Sequence, residues 1–296
     1  MRILIFCFLQ VLICFVSINS FSQSIYNDSI ENGTNFSKAA FRVRIADTTR
    51  QVKGIIVLVP GSGYDGRNDI DNKEWQTLSK DLNFALMACF FKDNPHEHPE
   101  IEEYVNVRNG SGEAMLRSIK RIATSSRHKE LDTIPFMMFG MSAGGQFNYE
   151  FACWAPERVQ AFVVNKGGIY YTALAPPASW NIPGLFITGE KDSPYRTNIV
   201  KGIFSINRRF GAKWTYAQEF EAEHVIGKSE FLSQTFFREV IKRNNNQLNK
   251  NDTSYIGLVD KKLLIINETG RNMFSDLTSW IVSKQFGNDW IDFMEK

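Results

Sequence analysis

One serine in this chain stands where a hydroxyl can become a nucleophile. Ser142 lies in Gly140-Met141-Ser142-Ala143-Gly144-Gly145, after the apolar run 134–139 and before a stretch of helical spacing that opens near Ala143. On a strand-to-helix turn of that kind the serine backbone is strained and neighbouring turns pass close by, so the residues two positions away on either side must be small. The free amides and dipole of the helix N-terminus then favour negative charge as it develops. A serine hydroxyl is a weak nucleophile near neutral pH and requires a base. Of the four histidines only His224 follows Ser142, which matches the order nucleophile, acid, histidine found in folds that carry their serine on a G-x-S-x-G turn. A carboxylate that orients the imidazole is expected between them. Gly189-Glu190-Lys191-Asp192 follows the apolar run 184–188 directly. Asp192 is preferred to Glu190 because it lies further along the loop and its shorter side chain holds geometry better. Asp69, Asp71 and Asp81 precede the serine and read as solvated charges.

An acyl-transfer site also needs two amide donors for the oxyanion. Val59-Pro60-Gly61-Ser62-Gly63 closes the apolar run 54–59, and its glycines let the backbone face a ligand. The expected donors are the amides of Ser62 and Ala143, with Gly63 one register step from Ser62. A phosphate-binding loop is disfavoured, since no Lys-Ser or Lys-Thr pair follows these glycines.

The elements that must position these residues are legible as an alternation. Strand-like runs at 54–59, 84–91, 134–140, 159–165, 184–188 and 213–220 are separated by stretches of helical spacing, among them 112–123, 143–155, 197–210 and 229–243. That alternation predicts an α/β fold with a mostly parallel central sheet and helices on both faces. Residues 24–37 are polar and turn-rich and read as a leader into an early strand at 41–45. A polar run from Asn244 to Asp252 marks a linker or long loop. Beyond it a short strand at 263–266 and helical pieces at 277–282 and 289–294 are too small to fold alone.

The first 22 residues read as a secretory signal: Arg2 is followed by the apolar stretch 3–16 and by small residues at Ser20 and Ser22. The expected division is therefore signal 1–22, catalytic domain 23–243 and a C-terminal extension 244–296 packed on it. The expected location is secreted or periplasmic, with no membrane anchor after cleavage. Cys89 and Cys153 lie in apolar runs and are expected as buried free thiols. Thirty-four Lys and Arg against 32 Asp and Glu leave a net charge of +2, which offers no excess to hold nucleic acid. His96-Glu97-His98 lacks a third ligand in its polar loop, so no metal is predicted, and the chemistry calls for no cofactor.

Ser142 in G-M-S-A-G, Asp192 in I-T-G-E-K-D, His224 in E-A-E-H and the P-G-S-G loop together resemble the α/β-hydrolase superfamily, and within it esterases similar to dienelactone hydrolases and polyhydroxybutyrate depolymerases. The likeness covers roughly residues 54–243, and Pro60 stands where many relatives carry histidine. It implies a serine hydrolase that cleaves carboxylic esters, either small acyl esters or an acylated polysaccharide. Fewer than 20 residues separate the strands that end at Asn165 and begin at Gly184, too few for a folded lid. Tyr64, Tyr170 and Trp180, with Tyr171 and Tyr195, are read as coming from loops at the site's edge, either as a ring-stacking surface for substrate or as loop packing.

Overall fold

Apolar runs in which every residue is inaccessible to water form strands only where helices cover both faces of a sheet. Two such runs, and a third buried in all but its last residue, build the centre of this molecule. The computed structural model describes residues 23–97, 101–248, 255–266 and 278–295. In chain order the strands of the main sheet are β1 (Ser24–Glu31), β2 (Lys38–Ile45), β3 (Ile55–Val59), β4 (Ala85–Lys92), β5 (Phe136–Met141), β6 (Val159–Asn165), β7 (Gly184–Gly189) and β8 (Trp214–Glu219). They lie in the order β1-β2-β4-β3-β5-β6-β7-β8, antiparallel across β1, β2 and β4 and parallel from there to β8. Strands β3 and β7 are buried along their whole length, and β5 along all but its last residue.

The helices are α1 (Lys73–Leu82), α2 (Ser111–Ser126), α3 (Ala143–Trp154), α4 (Pro177–Trp180), α5 (Pro194–Arg209), α6 (Ser229–Asn244) and α7 (Lys284–Glu295). Helix α1 is absent from the sequence reading. It buries Trp75 and Leu78, and its start is capped by Asn72, whose side-chain oxygen accepts the Trp75 amide at 3.1 Å. Between β6 and β7 there is only the single turn of α4, so no lid domain covers the sheet's edge.

Two expectations are corrected. Residues 24–31 are the edge strand β1 rather than a leader, paired along all eight residues with β2. Its Asn, Asp and Ser side chains suit a sheet edge that must discourage further pairing. Residues 278–281 form a strand, not a helix: β11 (Thr278–Ile281) pairs antiparallel with β9 (Tyr255–Leu258), whose other neighbour is β10 (Leu263–Ile266). So short an apolar run carries no decisive periodicity, and pairing settles its conformation.

This small sheet and α7 pack against the β8 side of the main sheet. Trp290 donates its indole N–H to the Tyr216 carbonyl at 2.7 Å, and buried Arg208 donates to the Thr278 carbonyl at 2.8 Å. Cys89 and Cys153 are free and buried. Residues 1–22, read as a signal, lie outside the described residues, as do His98 and 249–254. Among the described residues no helix is long and apolar enough to cross a membrane.

Candidate active site

Strand β5 ends at Met141 and α3 begins at Ala143, leaving Ser142 alone in the turn with φ +53° and ψ −119°. For a residue with a β-carbon that conformation is strained and persists only where the surroundings enforce it. The neighbours show how. The Ser142 amide donates to the Asn165 carbonyl on β6 at 2.8 Å, and its carbonyl accepts the Gln146 amide in the first turn of α3. A β-carbon on Gly140 would stand 2.2 Å from the Gly144 carbonyl oxygen, and one on Gly144 would stand 2.0 Å from that of Val59. The glycines are there because three backbones converge beneath the serine.

His224 joins this serine to Asp192. Its Nε2 is 3.0 Å from the Ser142 hydroxyl oxygen and its Nδ1 is 2.8 Å from Asp192 Oδ2. With the ring proton on Nδ1 the imidazole donates to the carboxylate and accepts from the serine, the arrangement in which it can take the hydroxyl proton. Asp192 follows β7 and its side chain is almost wholly buried; Oδ1 accepts the Ser193 amide at 2.6 Å and lies 3.6 Å from the Arg196 guanidinium. Glu190, the other carboxylate of this loop, turns outward and accepts the Glu221 amide at 2.8 Å.

Of the amides expected to receive an oxyanion, that of Ala143 directly follows the serine and that of Ser62 belongs to the neighbouring loop. Ala143 is the first residue of α3, where helix amides lack intrahelical acceptors. The loop 60–63 comes so close that a β-carbon on Gly61 would lie 3.6 Å from Ser142 Cβ. Among the described residues neither the Ser62 nor the Ala143 amide has a backbone acceptor. The Ser62 hydroxyl donates to the Glu102 carboxylate. Burial, with Asp93 hydrogen-bonded beside it, pushes the Glu102 carboxyl up to about 7.

Of Tyr64, Tyr170 and Trp180, read as substrate contacts, Tyr64 sits by the serine. It is exposed, donates to Asp69 Oδ1 at 3.2 Å, and shares a cavity with Gly61 and Met141. Tyr170 turns inward, edge-on to Tyr149 at 5.2 Å between ring centres, with its hydroxyl buried and without a hydrogen-bond partner among the described residues. Trp180 lies at the other edge of the sheet. It ends α4 just before β7 begins, its carbonyl accepts the Lys213 amide that precedes β8, and its ring stacks on Phe210. The loop after β6 starts at the serine's edge and has crossed the sheet by residue 180, so sequence proximity misplaced this tryptophan. Asp69 is also not a simple solvated charge: it is half-buried, and burial with Glu230 and Asp65 nearby holds its carboxyl above the usual range. His96 is hydrogen-bonded to Asp93 at 2.8 Å, while His98 lies outside the described residues.

Sequence reasoning missed a buried ion pair beneath the two loops. Lys166, directly after β6, meets Glu219 at the end of β8 at 2.5 Å, both side chains hidden from solvent. An apolar run that ends in lysine is the one signal that pointed there.

No protein-family model matches the chain, and no curated protein sequence matches it. Solved structures do. One of two fungal esterases from Rhizomucor miehei superposes with TM-score 0.53 at 15% identity, covering 78% of this chain and 87% of that one. Poly(aspartic acid) hydrolase-1 from Sphingomonas sp. KT-1 gives 0.51 at 16% identity over 73% and 98%. Esterase PE8 gives 0.51 at 14% identity over 73% and 99%. The chain has the α/β-hydrolase fold. Ser142 stands at the turn between the central strand β5 and helix α3. These neighbours carry the hydrolase fold and not the narrower likeness to dienelactone hydrolases or polyhydroxybutyrate depolymerases.

Proposed function

We propose that this protein is a serine hydrolase that cleaves carboxylic esters through an acyl-enzyme on Ser142. The observation that carries the reading is the unbroken hydrogen-bonded chain Asp192–His224–Ser142, ending on a strained serine at a helix N-terminus. Ser142 Oγ attacks the ester carbonyl while His224 takes its proton, and the amides of Ser62 and Ala143 hold the oxyanion. As the intermediate collapses, the C–O bond to the alcohol breaks and His224 returns the proton to the leaving oxygen. Water, deprotonated by the same imidazole, then attacks the acyl carbonyl; the acid leaves and Ser142 regains its proton. Asp192 keeps the imidazole oriented and stabilises its charged form. The steps use side chains and backbone amides of this chain together with one water, and the chemistry calls for no metal or cofactor.

Several fold neighbours are named as esterases, which supports esters over amides as the substrate. Amide cleavage is the second reading, favoured by the neighbour named as a poly(aspartic acid) hydrolase. Export belongs to the proposal through the charged, apolar and small-residue pattern of residues 1–22; N-terminal sequencing of the protein recovered outside the cytoplasm should begin near Gln23.

The test is hydrolysis of para-nitrophenyl acyl esters, methyl ferulate and acetylated xylan by the mature protein and by Ser142→Ala, with fluorophosphonate labelling of both. Turnover and labelling that vanish together in the variant are expected. A wild-type protein that neither labels nor cleaves any ester would mean that the serine is not activated, and the fold would then serve binding instead.

A further inference from the structure

A cavity of about 300 Å³ opens beside the serine. Gly61 and Met141 flank Ser142 on its near wall, and Ile226, two residues beyond His224, closes it from the histidine loop. Leu58, Phe139 and Trp75 supply further apolar wall, with the Trp75 and Phe139 rings 5.1 Å apart between centres. A space of this size, bordered by Met141 directly before the serine and walled largely by hydrocarbon, releases water to a ring-sized apolar group.

Its charged side chains, Asp69 and Glu230, are both carboxylates. Asp69 accepts one hydrogen bond, from the Tyr64 hydroxyl at 3.2 Å, and Glu230 accepts one from the Trp75 indole N–H at 3.0 Å. A carboxylate offers acceptor sites for about four donors, so both keep acceptor capacity. Among the described residues neither forms an ion pair. The nearest arginine by sequence, Arg67, is committed to Asp65 by two hydrogen bonds. Burial and the neighbouring carboxylates raise the Asp69 carboxyl above its ordinary range, as two like charges beside hydrocarbon must.

We infer that this cavity is the substrate subsite of the proposed esterase, and that it takes a ring-sized apolar group of the ester whose far end is cationic, such as an ammonium, in preference to an anionic one. The inference rests on the esterase reading for its role in turnover. The walls bind the hydrocarbon body, and the two carboxylates select the sign of the tip. An anionic tip meets Asp69 and Glu230 in surroundings where water screens poorly, which also disfavours polyaspartate chains. Aromatic walls favour the same sign through their ring faces.

The experiment uses two matched sets of esters. In one the ring is on the acyl side: methyl 4-(aminomethyl)benzoate, methyl 4-methylbenzoate and monomethyl terephthalate. In the other it is on the alcohol side: the acetates of 4-(aminomethyl)benzyl alcohol, 4-methylbenzyl alcohol and 4-(hydroxymethyl)benzoic acid. The expected order of kcat/KM is cation, neutral, anion in one set, with roughly tenfold between the extremes or more, and that set names the side of the ester that enters. Glu230→Gln and Asp69→Asn should each shrink the cation-to-anion ratio by several fold, and Ile226→Trp should lower ring-ester turnover relative to ring-free ethyl acetate. Calorimetry with 4-methylbenzylammonium and 4-methylbenzoate reads the cavity without chemistry, and the cation should bind more tightly. Equal rates across both sets, with no binding preference, would overturn the subsite while leaving the esterase standing. Cation binding without turnover of any ester would do the reverse.

Discussion

Lys166 and Glu219 are paired at 2.5 Å out of reach of solvent, directly under the two loops that carry Asp192 and His224. The second carboxylate oxygen of Glu219 accepts the Lys228 amide at 2.5 Å, which ties down the end of the histidine loop. Burial lowers the Lys166 ammonium from its usual range, and Glu219 and then Asp192 oppose that shift. Removing one partner leaves the other charge buried and unpaired, at a cost of about 3–5 kcal/mol. Lys166→Met and Glu219→Gln should each lose stability of that order in urea denaturation and lower kcat more than they raise KM. In Lys166→Met/Glu219→Leu stability should largely return, whereas kcat should not if the pair positions the loop.

Replacing Asp192 by Asn keeps the shape of the side chain but favours the wrong imidazole tautomer. By analogy with other serine triads, kcat should fall by roughly 10⁴ with KM little altered. Glu190→Gln, on the same loop but turned outward, should change kcat by about twofold at most. Steady-state kinetics on one para-nitrophenyl ester compares the two.

The strain at Ser142 is measurable as stability. Glycine accepts φ +53° without steric cost, so Ser142→Gly should raise the unfolding free energy by about 1 kcal/mol while labelling and turnover disappear. Ser142→Ala should abolish turnover without that gain, since its β-carbon keeps the strain. Gly144→Ala should unfold the protein or cost more than about 3 kcal/mol, because its new β-carbon meets backbone that cannot move aside. Urea midpoints for the soluble variants, and the soluble yield of Gly144→Ala, carry these comparisons.

Glu102 introduces a pH term. Its carboxyl is pushed up to about 7, first by burial and then by Asp93, so the folded chain holds its proton more tightly than the unfolded one. The stability this contributes is fully present below the ordinary carboxylate range and is lost as pH rises through about 7. The urea midpoint of the wild type should therefore carry a downward component between about pH 4.5 and 8. Glu102→Gln should flatten that component. An unchanged pH slope in the variant would assign the titration elsewhere.

Much of this molecule could be read from the chain. Continuous apolar runs announced the parallel strands because their burial on both faces leaves no polar alternation, and Gly140 and Gly144 announced the turn because only glycine tolerates the backbones that meet there. Chain order alone singled out His224 from four histidines, and the loop after β7 offered Asp192. What sequence could not resolve was anything set by pairing or by the far end of a loop. Strand β1 looked like a polar leader because an edge strand lacks a second buried face, and residues 278–281 became a strand only by pairing with β9. Trp180 fell at the wrong edge because a loop's path across a sheet is not written in its length. The Lys166–Glu219 pair joins residues 53 positions apart, and the Asp69–Glu230 end of the cavity joins residues further apart still. Such partners are chosen by the packing of strands and helices, and only the tertiary structure brings their charges within reach.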